Sequence, residues 1–398
     1  MVAFLHAADL HLGLRITRFD PRSVQRIREA RFQALDNLLQ AARANAVDFL
    51  LIAGDLFDDH AVDGEVARRA FLMLDAAPAP VYVLPGNHDP LLPGAVWDRP
   101  PWNQAPTRRV HLLRKAEPLA APGVVLFPCP VLRKTSLSDP TAWIAHAPPT
   151  ANAIRIGIAH GSLKVRDDLP ADDHLIARDA ARRLQLDYLA LGHWHSRQLF
   201  AEADGAVRTA YPGVHEPMRF QGSTESRTGW VPYTGGATRS EFLDAGRGEV
   251  LRVRIDRPGA APEVTPIEVG HLFWQEECRT VASDDDLSRL IAEVATRPLT
   301  ERRLLRLKLT GVLDAGTMLR VRELRQVLEG RYFFGELDET ELHVRPTEAE
   351  LGELAGPGIL ARVLDKLRAE AAGADPWGRQ VAERAILLLC QMVRGVNG

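Results

Sequence analysis

Five short stretches of this 398-residue chain place histidine, aspartate or asparagine directly after a run of apolar residues. They are Asp9-Leu-His11, Gly54-Asp55, Gly86-Asn87-His88-Asp89, His160-Gly161 and Gly192-His193-Trp-His195. A turn explains the glycines and Asn87, but it gives no reason for a histidine such as His88. Carboxylate, imidazole and amide oxygen together suit mid-series divalent metals such as Mn²⁺, Fe²⁺ or Zn²⁺. The pattern therefore predicts a metal site.

The spacing inside these stretches fits more than one ion. Alternate residues of an extended segment point to the same side, so His193 and His195 can approach one ion together. The carboxylate of Asp55 could bridge two ions about 3.5–4 Å apart, which would lower the pKa of a shared water. An imidazole that is not a ligand could then donate a proton to the leaving oxygen. His88 fits that role because its neighbour Asn87 can take the ligand position.

The elements that must hold these residues alternate between strand and helix. Strands are predicted at residues 2–8 and at VDFLLIAGD, VYVLPGNHD, IRIGIAHGS and LDYLALGHWHS, with helices over 21–44 and 64–77. This order predicts an α/β fold with a parallel sheet covered by helices. Open sheets of this kind place their sites at the carboxyl ends of the strands, where all five stretches lie.

The second half of the chain changes character. Residues 208–239 are rich in Gly, Pro and Thr and are interpreted as loops, and 249–255 alternate as a half-exposed strand. After about residue 270 the pattern predicts a helix starting at Asp284, a strand at RLLRLKLTG, a helix over 319–330 and a short strand at LHVRP. Two amphipathic helices follow over 359–371 and 377–394. The last is rich in apolar residues: Ile386, Leu387, Leu388, Leu389 and Met392.

Composition limits the classes of protein to consider. A chain of 398 residues is expected to form two or three domains, and no apolar run is long enough to span a bilayer. The formal charge of −3 gives no global attraction to nucleic acid, so any basic surface must be local. Three cysteines, Cys129, Cys278 and Cys390, without a CxxC pair indicate a reducing, cytoplasmic location. The first residues lack the features of a secretory leader.

The five motifs, in this order, resemble those of the calcineurin-like metallophosphoesterase superfamily. The details DLHLG, GDLFD and GHWH are similar to its DNA-repair nuclease branch, the SbcD and YhaO type. The motifs cover about residues 1–215. The resemblance implies a β-sandwich flanked by helices, with a small α+β capping domain and a C-terminal helical segment. The corresponding division is 1–268 for the phosphoesterase domain, 269–346 for the capping domain and 347–398 for the helical segment.

The resemblance also implies the roles of the site residues. One divalent ion, with Mn²⁺ the expected metal, would take Asp9, His11, Asp55 and His195. The second would take Asp55, Asn87, His160 and His193, and His88 would be the catalytic histidine outside the ligand set. Archaeal and eukaryotic relatives carry a second catalytic histidine where this chain has Asp58. The role of His215 is left open. The other histidines are interpreted as surface or packing residues: His6, His60, His111, His146, His174, His271 and His343.

The function implied by the resemblance is that of a DNA exonuclease and endonuclease. It would act as a homodimer with an SMC-like ATPase of the SbcC type. Arg15 and Arg18, in a loop beside His11, are the candidate DNA contacts, whereas Arg26, Arg28 and Arg31 are interpreted as the solvated face of a helix. Two alternatives remain open: a phosphodiesterase for cyclic nucleotides or nucleotide-sugars, and a DNA-end scaffold with weak catalysis. The C-terminal helices are either a docking element for the partner or a packed terminus.

Overall fold

The computed structural model describes residues 1–148, 152–220, 247–347, 350–351, 358–373 and 375–396. The chain divides into two compact units, Met1–Trp274 and Gln275–Gly398. The division falls a few residues after the predicted boundary at residue 268, and the three-domain division of the sequence stays a prediction. Among the described residues, no helix combines the length and the apolar character needed to cross a membrane.

The described residues of the first unit form two mixed sheets and three α-helices. Its strands are β1 (Val2–Ala7), β2 (Phe49–Ala53), β3 (Val81–Leu84), β4 (Val110–Leu112), β5 (Leu119–Ala121), β6 (Val124–Cys129), β7 (Ile154–His160), β8 (Tyr188–Gly192), β9 (Gln198–Ala201), β10 (Val207–Tyr211), β11 (Glu249–Ile255) and β12 (Glu263–Glu268). Its helices are α1 (Pro21–Ala44), α2 (Gly64–Asp75) and α3 (Ala180–Arg183). The sheet orders are β12-β11-β1-β2-β3-β4 and β5-β6-β7-β8-β10-β9.

Strand β1 shows why the two sheets pack face to face. Successive side chains of a strand point to opposite faces, and Phe4 and Leu5 accordingly belong to different apolar clusters. Phe4 stacks on Phe49 of the same sheet, with ring centroids 4.9 Å apart, and meets Tyr188 of the second sheet at 5.7 Å. Leu5 packs on the opposite face, in a cluster with residues of α1 and α2. The predicted β-sandwich flanked by helices is therefore confirmed.

Helix α1 has the bounds that the sequence pattern predicted. The side chain of Asp20 accepts hydrogen bonds from the backbone N–H groups of Arg22 and Ser23, and Pro21 occupies the first turn. An aspartate cap favours a helix start because its carboxylate accepts from free N–H groups of the first turn, and a proline favours it because it has no N–H there that needs an acceptor. The helix places Ile27 and Leu35 in the core beneath the first sheet.

The carboxyl ends of the strands from both sheets meet at one edge of the sandwich. Strands β1, β2 and β3 are mutually parallel, as are β7 and β8. The sheets approach closely there, because a Cβ added at Gly192 would lie 2.0 Å from the carbonyl oxygen of Ala53 and 2.9 Å from Nδ1 of His160. A glycine at the end of β8 thus allows residues from two sheets to reach a common point.

The second unit has its own sheet and core. The elements are β13 (Phe273–Val281), which crosses the division, α4 (Asp284–Thr296), β14 (Thr300–Leu313), α5 (Ala315–Arg331), β15 (Tyr332–Val344), α6 (Ile359–Ala371) and α7 (Pro376–Val396). The sheet order is β13-β14-β15, and β14 runs parallel to β15. Leu287 of α4, Leu305 of β14 and Leu324 of α5 belong to one buried cluster.

Two element predictions were wrong. Residues 208–211, predicted as loop, belong to β10, which pairs in parallel with β8; there Tyr211 is buried and stacks on Trp194 with ring centroids 4.4 Å apart. The short strand at LHVRP is the end of β15, a 13-residue strand. The predicted loop over 221–239 and the side chains of Leu387 and Met392 lie outside the described part of the chain.

Candidate metal centre

The backbone at the strand ends is held in an unusual conformation. Positive φ angles, which residues other than glycine rarely adopt, occur at four positions. They are 55° at Asp9, 42° at His11, 51° at Asp55 and 111° at His193. The segment after β1 is tied to the segment after β2, since the N–H of Asp9 donates to the carbonyl of Gly54 at 3.1 Å and that of His11 to the carbonyl of Asp55 at 3.0 Å. Such strain persists where surrounding structure over-determines it and is common at functional sites.

One cluster of candidate ligands contains Asp9, His11 and His195, whose ligand atoms lie within 4.8 Å of one another. The Nε2 atoms of His11 and His195 are 3.1 Å apart. Asp9 and His11 are buried, and Nδ1 of His11 lies 3.3 Å from a carboxylate oxygen of Asp58. Two imidazole nitrogens converging beside a buried carboxylate form a cradle for a cation.

A second cluster contains Asp9, Asp55 and His160. Nε2 of His160 lies 3.3 Å from Oδ2 of Asp55 and 2.7 Å from Oδ1 of Asn87. Nδ1 of His193 lies 3.2 Å from the same oxygen of Asn87. The structure thus brings the second predicted ligand set together, and it adds Asp9 to the neighbourhood of both sets.

Asp55 connects the two clusters. Its Oδ2 atom lies 3.8 Å from Nε2 of His11 as well as 3.3 Å from Nε2 of His160. Its other carboxylate oxygen accepts a hydrogen bond from the backbone N–H of His88 at 2.9 Å. This position between the two sets is the one required of a bridging carboxylate.

The charges of the cluster shift the pKa values of its members in opposite directions. Burial raises the pKa of Asp9, although the charge of His160 acts against this. Burial would also raise the pKa of Asp55, but the positive charge and hydrogen bond of His160, with the charge of His11, lower it below its ordinary value. Burial disfavours charge on His160, yet Asp55 and Asp9 raise its pKa to about 9. The carboxylates of Asp55 and Asp9 therefore favour positive charge at His160.

His88 lies beside the ligands with 40% of its side chain exposed. Its ring centroid is 4.8 Å from that of His11. The carbonyl oxygen of Asp58 lies 2.9 Å from Nδ1 of His88, an arrangement in which Nδ1–H donates and Nε2 is left for other partners. Asp58 also places its carboxylate 3.3 Å from Nδ1 of His11. Asp58 thus contacts both a candidate ligand, His11, and the candidate acid, His88.

The candidate DNA contacts lie on the loop after His11. Arg15 has 74% of its side chain exposed and pairs with Asp59 at 3.4 Å. Arg18 is exposed and lies over the ring of Phe220, 5.5 Å from its centroid. Their role in DNA binding stays a prediction.

The interpretation of Arg31 as a solvated helix residue was wrong. Arg31 is completely buried and donates hydrogen bonds to the carbonyl of Leu10, at 2.6 and 2.9 Å, and to that of Glu216. His215 is also buried, and its Nε2 lies 2.9 Å from the carbonyl oxygen of Arg31. Burial lowers the pKa of both side chains. The two residues support the segment that carries Asp9 and His11.

The donor set fits divalent metals. Three carboxylate or amide side chains and four imidazoles meet at one edge of the sandwich: Asp9, Asp55, Asn87, His11, His160, His193 and His195. These donors are the ones that mid-series divalent cations prefer. The sequence reasoning did not single out Asp173, which contacts His193 from outside the five motifs.

Comparison with known proteins agrees with the geometry. The family model described as calcineurin-like phosphoesterase matches residues 2–197, the stretch that contains all the candidate ligands and His88. The chain carries a calcineurin-like phosphoesterase domain. This family hydrolyses phosphoesters with divalent metals, so the predicted class of enzyme is confirmed at that level.

Several curated proteins are similar to this chain. The metallophosphoesterase YhaO of Bacillus subtilis is 28% identical over 61% of this chain and 60% of its own length. The DNA double-strand break repair protein Mre11 of Aeropyrum pernix is 25% identical over 64% of each chain. The SbcD subunit of the SbcCD nuclease of Escherichia coli is 26% identical over 56% of this chain and 62% of its own. The chain thus spans less than two thirds of the length of these relatives.

Proposed function

We propose that the protein is a metal-dependent DNA nuclease that hydrolyses phosphodiester bonds. The observation that carries the proposal is the convergence of buried carboxylates, imidazoles and one amide at the edge where both sheets end. The names of two relatives, a nuclease subunit and a double-strand break repair protein, support DNA as the substrate.

In this proposal each side chain has a defined task. One ion is held by Asp9, His11, Asp55 and His195, and the other by Asp55, Asn87, His160 and His193. When bound, two divalent ions, with Mn²⁺ expected, supply a nucleophile at neutral pH and offset charge on the phosphate. His88, positioned through its contact with the carbonyl of Asp58, donates a proton or hydrogen bond to the leaving oxygen from Nε2.

The wider assembly is part of the same proposal. Arg15 and Arg18, on the loop after His11, contact DNA phosphates. The protein acts in the cytoplasm as a homodimer with an SMC-like ATPase of the SbcC type, for which the relative named as part of the SbcCD nuclease is the support. A net charge of −3 is consistent with a subunit that relies on a partner for affinity to DNA.

A small-molecule phosphodiesterase is the second candidate. The observation that favours it is the pairing of Arg15 with Asp59 and the contact of Arg18 with an aromatic ring, so that both candidate DNA contacts already have partners within the chain. Such an enzyme would have the same metal centre and would hydrolyse a bis-aryl phosphate and cyclic nucleotides, but it would leave DNA intact.

The experiment that separates these candidates is hydrolysis of end-labelled linear DNA with Mn²⁺, with and without the candidate ATPase, in parallel with a bis-aryl phosphate. His88→Ala should lower kcat on DNA by about 10²–10⁴-fold, because a positioned acid contributes that much, and should leave Mn²⁺ content unchanged. His60→Ala is the matched control, since His60 is a half-exposed histidine that pairs with Asp59 outside the ligand set.

The outcomes lead to different conclusions. Mn²⁺-dependent loss of label that requires His88 supports the nuclease. Hydrolysis of the bis-aryl phosphate with intact DNA in every mixture refutes it in favour of the small-molecule enzyme. Biological function retained by His88→Ala would instead indicate a scaffold for DNA ends.

A further inference from the structure

Asp173 lies on the segment between β7 and α3, outside all five motifs, and contacts one of the candidate ligands. Its Oδ1 atom is 2.9 Å from Nε2 of His193. Its Oδ2 atom accepts a hydrogen bond from the hydroxyl of Ser162, and that hydroxyl accepts one from the indole N–H of Trp194 at 2.9 Å. The side chains of Trp194, Ser162 and Asp173 therefore form a hydrogen-bonded series that ends at His193.

The backbone around Asp173 is fixed on both sides. The N–H of Ser162 donates to the carbonyl of Asp173 at 3.2 Å, and the N–H of Ile176 donates to the carbonyl of Ser162 at 2.9 Å. On the other side the N–H of Ser136 donates to the carbonyl of Asp172 at 2.8 Å. Asp173 also forms an isolated parallel bridge with Ser136. The carboxylate is thus held between two neighbouring segments instead of lying on a free loop.

The contact with Asp173 decides which nitrogen of His193 is available to a metal. With a proton on Nε2, the ring donates to the carboxylate, and the lone pair of Nδ1 is left on the side of Asn87, whose Oδ1 is 3.2 Å away. His160 has the opposite arrangement, in which Nδ1 lies 2.9 Å from the carbonyl of Ala53 and Nε2 lies 2.7 Å from Oδ1 of Asn87. The two histidines thus present different nitrogens to one amide oxygen, and each is oriented by its own acceptor.

We propose that Asp173 is the positioning residue that orients His193 as a metal ligand, with Ser162 and Trp194 holding its carboxylate in place. Carboxylates that accept a hydrogen bond from a metal-bound imidazole fix its tautomer and raise its basicity. The inference rests on the metal centre of the proposed function, and it applies equally to DNA and to small phosphodiesters. Trp194, between the two histidines of the GHWH motif, then has a role of its own through Ser162.

The test is a titration of the whole chain with Mn²⁺, in which free Mn²⁺ is followed by electron paramagnetic resonance. Wild type should bind two ions. Asp173→Ala should lower the affinity for one ion by about 10–100-fold, the usual effect of losing a hydrogen-bond partner of a metal ligand, and should leave the affinity for the other ion unchanged. Asp173→Asn should weaken the same ion less, because its amide oxygen still accepts from His193. Asp172→Ala, which removes an exposed aspartate next to it, should bind both ions as wild type does.

Activity gives an independent readout of the same effect. Raised Mn²⁺ should restore kcat of Asp173→Ala on a bis-aryl phosphate, because the ligand is disordered and not removed. Thermal melting of the metal-free variants checks their folding, and Asp173→Asn serves for the titration if Asp173→Ala melts early. Wild-type affinity for both ions in Asp173→Ala or Asp173→Asn would overturn the inference. An equal loss of affinity for both ions would also overturn it, since a purely structural role of Asp173 would affect both sites.

Failure of the proposed function can be told apart from failure of this inference. Wild type that hydrolyses the bis-aryl phosphate but not DNA would refute the nuclease, while the Mn²⁺ titration would still decide the role of Asp173. Wild type that binds no Mn²⁺ would remove the metal centre, and the inference about Asp173 with it.

Discussion

Two histidines on strands of different sheets of the sandwich, His6 in β1 and His160 in β7, are buried to the same extent but have different polar neighbours. Both are completely inaccessible to solvent. His6 lies within β1, where Nδ1 is 3.0 Å from the hydroxyl of Tyr188 and Nε2 is 3.2 Å from the carbonyl of Leu191. His160 ends β7, where Nε2 faces the carboxylate of Asp55 and the amide oxygen of Asn87.

The surroundings of His160 reverse the effect of burial on its pKa, whereas those of His6 do not. Burial lowers the pKa of His6 to about 3, although its contact with Leu191 acts in the other direction. Burial acts on His160 in the same sense, but the charge and hydrogen bond of Asp55, with the charge of Asp9, raise its pKa to about 9. Removal from water alone does not separate a packing histidine from a ligand. The neighbouring carboxylates do, because they make the site favourable for a proton or a metal cation.

Asp55→Asn is expected to have the largest effect on activity and on Mn²⁺ binding. The change removes the carboxylate that faces both clusters and keeps the size of the side chain. Loss of several kcal/mol of charge stabilisation should lower kcat/KM on a bis-aryl phosphate by about 10³-fold. Mn²⁺ titration should show weaker binding of both ions. The same change at Asp98, an exposed aspartate that pairs with Arg114 and lies outside the ligand set, is the control. If Asp55→Asn bound both ions normally, Asp55 would not be the bridge.

Much of the site could be predicted because its signals are local. A run of apolar residues followed at once by Asp, Asn or His marks both a strand and its functional end, and the five stretches required no knowledge of long-range contacts. His160 was identified as a candidate ligand in this way, and His6, interpreted as a surface or packing residue, is buried within β1. The family pattern strengthened each assignment, since single motifs of this length are common in turns.

Residues that depend on pairing between distant segments could not be predicted. Asp173 meets His193 because the segments around Ser136, Ser162 and Asp173 lie side by side, and no spacing in the sequence encodes that register. Strand β10 was missed because its sequence, VRTAY, mixes polar and apolar residues, and its burial comes from β8 and Trp194.

Arg31 is different, because a local signal was present. It lies four residues after Ile27 and four before Leu35, on the apolar stripe of α1. An arginine on a buried stripe requires acceptors nearby, and the carbonyls of Leu10 and Glu216 supply them. Weighing position above residue type would have identified it as buried.

A change of pH is expected to have a smaller effect on affinity for Mn²⁺. This effect depends on the proton of His160 and so distinguishes His160 from His6. In the metal-free protein His160 keeps its proton up to about pH 9, and a metal must displace that proton to bind Nε2. Affinity for Mn²⁺ should therefore rise between about pH 6.5 and pH 9, by up to about tenfold per pH unit for one released proton. Titration calorimetry in buffers of different ionisation enthalpy would count the protons released.

The stability of the metal-free protein should change in the opposite sense over the same range. Because the folded pKa of His160 is raised, its contribution to stability is full below its ordinary pKa of about 6.5 and is lost as pH rises through about 9. Affinity for Mn²⁺ that stayed constant from about pH 6.5 to pH 9 would show that no proton leaves His160 on binding.

The smallest effect on the centre is expected from His6→Leu, although its effect on folding should be clear. The change leaves the hydroxyl of Tyr188 and the carbonyl of Leu191 without their partner and should lower the free energy of unfolding by about 1–3 kcal/mol, measured with urea. Because His6 is held neutral, its contribution is present above about pH 6.5 and is lost as pH falls toward about 3, so wild type should lose stability over that range and His6→Leu should lose less. Tyr188→Phe completes a double-mutant cycle. Binding of both Mn²⁺ ions should stay as in wild type; a lost ion would place His6 in the metal centre and remove the distinction between the two histidines.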